Sequence, residues 1–171
     1  MEADGLKKAR ELLGEVTPLA FDCGNRCASA CCQGGEADGM LLFPDEERYY
    51  MDCSWAIVAE DRLGKRLICH GMCERENRPL ACRIFPLAIK LSGQEDGSPK
   101  ANIIMDVRAW PVCPLMKSGR KGLKMEFVSA VRDAAEHLLR EDKHRAFLFL
   151  LSKELNGYEE MKQSFLAGRD V

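Results

Sequence analysis

Apolar residues recur at helical spacing near both ends of the chain and in short strand-like runs between them. Over residues 3–15, Leu6, Ala9, Leu12 and Leu13 share one face of a helix, and Thr17-Pro18 is placed to end it. Met40 to Phe43 reads as a short buried strand. Pro44-Asp45-Glu46-Glu47 reads as the first turn of a helix, with proline early and acids near the positive end. Trp55 to Ala59 and Arg66 to Cys69 are strand candidates, joined as a hairpin through Glu60-Asp61-Arg62-Leu63-Gly64-Lys65. Pro86 to Leu91 and Ala101 to Met105 predict a second hairpin, whose long connection, Ser92 to Pro99, forms an exposed tip.

After Pro114 the texture becomes helical. Leu123, Phe127, Val131, Ala134, Ala135 and Leu138 predict an amphipathic helix over about 122–140. Lys143 to Leu155 predicts another, with Phe147, Leu148, Leu150 and Leu151 on a broad apolar face. Asn156-Gly157 reads as its stop, with a last short helix over Tyr158 to Ala167. The expectation is one α+β domain over residues 1–171. It has a cysteine-rich, metal-centred part with short strands and loops at about 21–115. A C-terminal helical part follows at about 120–168.

Length and charge narrow the function classes. A chain of 171 residues is long enough to bury a core without covalent staples. A net charge of −2 gives no reason to expect nucleic acid or an anionic membrane as partner. No apolar run approaches the ~18–20 residues that span a bilayer. Met1 to Arg10 is polar and charged, unlike an export signal, so a cytoplasmic location is expected.

Nine cysteines are the outlying feature. An odd count, tight clustering and a reducing compartment favour metal ligands or redox groups over disulfides. The main cluster is Cys23, Cys27, Cys31 and Cys32. The first three recur at every fourth residue. In a helix they would share a face; in a loop, Gly24, Ala28, Ser29 and Ala30 would let the backbone wrap an ion closely. Cys32 is expected to point away from Cys31, towards a second metal or the far side of a cluster. Sulfur ligands suit zinc or iron–sulfur centres. The alternative, that these thiols are small core hydrophobes, fits poorly because four bunched thiols are an oxidation hazard.

Cys69 and Cys73 repeat the four-residue step, and His70 beside them is the poorer donor. Cys82 falls between Pro79 and Pro86, on a short helix near its positive end, where a thiolate is favoured. Arg78 and Arg83 bracket it as candidate cofactor-contacting cations that would offset the charge of a thiolate site. Cys113, between Pro111 and Pro114, is expected on a stiff extended segment as a distant ligand. Cys53 has no cysteine neighbour and reads as a structural buried thiol. The remaining eight can fill two tetrahedral sites, or serve one cluster plus one ion.

These residues resemble the prokaryotic zinc- or iron-chelating domain family known by its cysteine cluster, CxxCxxCC, also called the YkgJ-like cysteine cluster family. The resemblance rests on Cys23, Cys27, Cys31 and Cys32, on Cys73 upstream of Arg78-Pro79, on Cys82-Arg83-Ile84-Phe85-Pro86 and on Cys113, and spans about 21–115. Each gap in the first cluster is three residues here, against two in the family's name. The step from Cys73 to Arg78-Pro79 is one residue short of the usual pattern, so either Cys69 or Cys73 can be the family's ligand. The resemblance implies metal binding, and a relationship to the larger flagellin lysine N-methylases.

Three functions follow as expectations. The first is a protein holding an iron–sulfur cluster, or an iron or zinc ion, with a redox or electron-transfer role. The second is a zinc-stabilised interaction module that binds a protein partner through its C-terminal helices. The third is an accessory domain related to protein lysine N-methylases. A full S-adenosylmethionine enzyme is disfavoured, since no Gly-x-Gly-x-x-Gly loop follows a strand. No Cys-x2-Cys, His-Glu-x-x-His or zinc-deaminase signature is present.

Overall fold

A computed structural model describes residues 4–33, 35, 39–71, 73–93 and 98–168. The architecture is α+β, with five α-helices and two small antiparallel sheets among the described residues. The start of the expected first helix at Ala3, Gly34 at the end of the cysteine segment, Met72, and the hairpin tip at 94–97 lie outside those residues.

Helix α1 (Gly5–Leu12) is capped by the Asp4 carboxylate, which accepts from the Lys7 backbone N–H. It buries Leu6 and Ala9, with Leu13 just beyond its end, against α4 (Met125–Leu138). Small residues let the two backbones approach. A Cβ on Gly5 would lie 2.5 Å from the His137 carbonyl oxygen, and Ala130, Ala134 and Ala135 are buried on α4. Phe127, Val131 and Leu138 complete the apolar face that their spacing predicts. The N-terminal helix therefore belongs to the same core as the C-terminal helical part.

The two predicted hairpins form. Strands β2 (Ile57–Asp61) and β3 (Gly64–Ile68) pair through a two-residue loop, Arg62-Leu63, and β1 (Met40–Leu41) adds to the other edge of β3. Strands β4 (Leu87–Gly93) and β5 (Pro99–Met105) pair along their whole length, from Leu87 opposite Met105 to Gly93 opposite Pro99. Leu87, Ala88 and Ile89 join the main core, on which α4 and α5 pack. Leu42, Tyr50 and Leu67 make a second, smaller core, with Cys53, Trp55, Ala56 and Val58 around it.

Two expectations about local structure are corrected. The segment after Pro44 is a 3₁₀ turn, Glu46–Tyr49, rather than the start of an α-helix. Asn156-Gly157 does not stop a helix: α5 runs without a break from Asp142 to Ala167 and ends at Gly168. A glycine inside a helix costs only about 1 kcal/mol, and strong helix formers such as Glu159, Glu160, Met161, Lys162 and Gln163 follow it. Asn156 and Gly157 are exposed, and a Cβ at Gly157 would meet open space, so packing at that point does not favour a turn. Burial on α5 ends at Leu155, and the last three turns are largely exposed. Among the described residues, no helix is long and apolar enough to cross a membrane.

His144 is fully buried on α5, edge-on to Phe43 at 6.3 Å, and neither ring nitrogen has a hydrogen-bond partner among the described residues. Glu141, Lys143, Asp45 and Asp4 are the charged groups that face it, the nearest being the Glu141 carboxylate at 3.8 Å. Burial holds its pKa below the ordinary 6.5. The unfolded chain therefore takes up a proton as pH falls through about 6.5, before the folded chain does. Stability from this site is full above that pH and is lost as pH falls below it. Chemical denaturation between pH 7.5 and 5.5 should show a loss in the wild-type chain that His144→Leu reduces.

Candidate metal centre

A cavity of about 170 Å³ opens between the end of α1, the cysteine segment, the 69–78 loop, helix α3 (Leu80–Ile84) and residues 112–115. Cys23, Cys27, Cys31, Cys32, Cys69, Cys73, Cys82 and Cys113 all line it, brought from four separate stretches of chain. Cys53 lies elsewhere, in the small core, with its thiol 3.7 Å from the Ala56 carbonyl oxygen. His70 also lines the cavity. Apolar walls come from Leu13, Val16, Phe85 and Leu115.

The cysteine segment is a broken turn rather than a continuous helix. A short helix, α2 (Gly24–Cys27), ends where Ala28 and Ser29 both turn left-handed, at φ 50° and 55°. A 3₁₀ turn, Ala30–Cys32, follows. After Cys69 a left-handed pair also occurs, His70 at φ 49° and Gly71 at φ 73°. Consecutive left-handed residues other than glycine are unfavourable and concentrate at functional loops. A side chain on Gly71 would strike the Cys32 carbonyl oxygen, so glycine is required where the two loops meet.

Cys31 and Cys32 do not diverge as their adjacency predicts. The 3₁₀ turn sets their sulfurs 3.8 Å apart in a thiol–sulfur hydrogen bond. That bond pushes Cys31 up and Cys32 down to about 6, with the Arg78 charge also favouring the Cys32 thiolate. Burial pushes Cys73 up to about 11, with the nearby Cys69 thiol adding to the shift. Cys82 goes well above the ordinary thiol range, chiefly through burial. Burial also raises Cys23 and Cys113, although the backbone N–H groups of Leu115 and Met116 favour the Cys113 thiolate. Cys113 itself is extended, at φ −102° and ψ 115°, but it stands between tight turns rather than on a longer extended segment. The Cys113 N–H bonds to the Ala109 carbonyl at 2.8 Å, and a 3₁₀ turn starts at Pro114.

The two bracketing arginines differ. Arg78 lines the cavity, its charge favours the thiolates of Cys23, Cys32 and Cys73, and its buried Nε has no partner among the described residues. Arg83 donates to three carbonyls, those of Arg78, Arg10 and Glu76, at 2.9, 2.9 and 2.6 Å. Arg83 is thus a clasp on the cavity wall. Arg75 acts in the same way on the Gly14 and Val16 carbonyls.

Behind the wall lies a residue that periodicity does not single out. Glu46 is fully buried, and one carboxylate oxygen accepts from Arg10 at 2.5 Å and from the Leu80 backbone N–H at 2.6 Å. The other accepts from the Phe43 N–H at 3.1 Å. It therefore fixes the first N–H of α3, and with it Cys82, relative to α1. Helix α3 thus directs its first free N–H to Glu46. Only the run Pro44-Asp45-Glu46-Glu47 marks the residue in sequence, and any of its three acids could be the buried one.

Among the described residues, no three histidine, cysteine, aspartate or glutamate side chains are already gathered closely enough to hold one ion. The thiols stand around the wall of a space much larger than the 10–15 Å³ that admits one water. The donor chemistry fits a thiophilic metal or an iron–sulfur group, with eight sulfurs and a cation beside them. No family model, curated protein or solved structure matches the chain.

Glu46→Ala leaves the buried Arg10 charge unpaired and should cost about 3–5 kcal/mol, read by urea denaturation. Glu46→Gln, which keeps acceptors for the Leu80 and Phe43 N–H groups, should cost less.

Proposed function

We propose that the chain is a metal-binding protein that holds an iron–sulfur cluster, or an iron or zinc ion, through its cysteines. The observation that carries this reading is the sorting of the thiols: the eight nominated as ligands line one cavity, and Cys53, set apart as structural, lies outside it. Core packing alone gives no reason for that division. Cys23, Cys27, Cys31, Cys32, Cys69, Cys73, Cys82 and Cys113 would hold the group, and Arg78 would offset its negative charge. The resemblance to the YkgJ-like cysteine cluster family points the same way. All eight candidate ligands are sulfur and four are bunched in sequence, which inclines the reading towards an iron–sulfur group. Such a group would supply a one-electron couple, whose potential is set by burial and by hydrogen bonds to sulfur of the kind Leu115 and Met116 offer Cys113.

A second reading is a zinc-stabilised module whose C-terminal helix docks a protein partner. Exposed Tyr158 and Met161 on the distal part of α5 favour it. Iron with sulfide in the isolated protein would decide against it, and zinc without sulfide would support it.

Metal analysis of variants tests the ligand assignment. Cys27→Ser and Cys31→Ser should lose bound metal and much of the folded stability, because metal binding supplies folding free energy. Cys53→Ser should keep its metal and cost only local packing. Loss of metal from Cys53→Ser, with retention in Cys27→Ser and Cys31→Ser, would overturn the assignment.

A further inference from the structure

We infer that the eight thiols form two adjoining tetrathiolate sites, Cys23/Cys27/Cys31/Cys113 and Cys32/Cys69/Cys73/Cys82. The inference rests on the metal-binding reading above and adds the number of sites and the ligands of each.

Each site is built around one of the two left-handed pairs. Cys27 and Cys31 flank the left-handed pair Ala28 and Ser29, and Cys69 and Cys73 flank the left-handed pair His70 and Gly71. Each loop then gains two further thiols. Cys27 and Cys113 together line a second hollow, with Arg26, Trp110, Pro114 and Met116, and no other cysteine reaches it. Cys23 completes that side: the Cys27 thiol lies 3.8 Å from the Cys23 carbonyl oxygen, and Cys23 and Cys113 both pack on the main core. On the other side, Gly71 sits against Cys32, where a Cβ would be 3.7 Å from the Cys32 Cβ. Cys82 lines the same cavity from the short helix α3, whose first N–H is fixed by Glu46.

The two sets meet at Cys31 and Cys32, whose sulfurs are 3.8 Å apart, and this contact places both sites in one cavity. Four thiolates around a dication leave a formal charge of about −2 per site. Arg78 answers this at the junction, because its charge acts on Cys23 of one set and on Cys32 and Cys73 of the other. Among the described residues neither set is already gathered closely enough to hold one ion, so the two-site assignment requires the thiols of each set to draw together around its metal.

The test is titration of the metal-free chain with zinc(II) alone, without oxygen, with free thiols alkylated at each point and located by mass spectrometry. Two equivalents should bind, and at saturation Cys53 should be the cysteine still labelled. Cys113→Ser should take one equivalent and expose Cys23, Cys27 and Cys31, while Cys32, Cys69, Cys73 and Cys82 stay protected. Cys82→Ser should do the reverse. Should either variant unfold, the wild-type protection pattern at one equivalent still reports whether thiols are protected in these sets. A single equivalent protecting thiols from both sets, or exposure of Cys69 and Cys73 by Cys113→Ser, overturns the division and leaves metal binding intact. No protection by zinc, with no iron in the isolated protein, overturns the underlying reading as well.

Discussion

The buried carboxylate of Glu46 is the constraint around which the rest of the molecule is arranged. A charge withdrawn from water is tolerated only when its oxygens are fully engaged, and Arg10 and two backbone N–H groups do this. Its three donors come from α1, from the chain after β1 and from the start of α3. Three pieces of backbone far apart in sequence are thereby held at one point. The Arg10 guanidinium also reaches the Tyr50 hydroxyl at 3.1 Å, and that hydroxyl donates to the Asn77 carbonyl at 3.0 Å. Buried pairs of this kind add little net stability compared with an apolar substitute. What this one supplies is position.

That position matters because the thiols come from segments with little regular structure of their own. Among the described residues, the cysteine segment and the 69–78 loop contain only short turns, and residues 107–122 are a chain of 3₁₀ turns. Arg75 and Arg83 pin the second loop to carbonyls at the end of α1. Helices α1 and α4 and the β4–β5 hairpin provide the packed core from which these pins hang. A packed core thus carries cysteine-bearing loops with left-handed residues at Ala28, Ser29, His70 and Gly71.

The fold was legible wherever burial followed a simple period. Leu6, Ala9 and Leu13, and Phe127, Val131 and Leu138, are buried as their spacing predicts. Both hairpins lie within a few residues of their apolar runs. The break expected at Asn156-Gly157 does not occur, because a stop signal acts only where tertiary contacts favour a turn, and that part of α5 is exposed. Cys31 and Cys32 were expected to diverge, yet a 3₁₀ turn brings their sulfurs together. For the site, Cys53 was set apart because it has neither a close cysteine nor the proline frame of Cys82 and Cys113, and its thiol lies in the smaller core. Glu46 could not be found in this way: its burial depends on Arg10 and Leu80, tens of residues away, and one acid in Pro44-Asp45-Glu46-Glu47 looks like another. Arg78 and Arg83 looked alike in sequence for the same reason. Only the backbone around them decides that Arg83 is consumed by three carbonyls while Arg78 faces the thiols.

The central claim is that the thiol-lined cavity holds a metal or iron–sulfur group. Its most direct test is the metal and acid-labile sulfide content, with a visible spectrum, of the full chain purified without oxygen. The account predicts bound iron with matching sulfide and broad visible absorption. A folded chain with no bound metal and nine freely reactive thiols would contradict it.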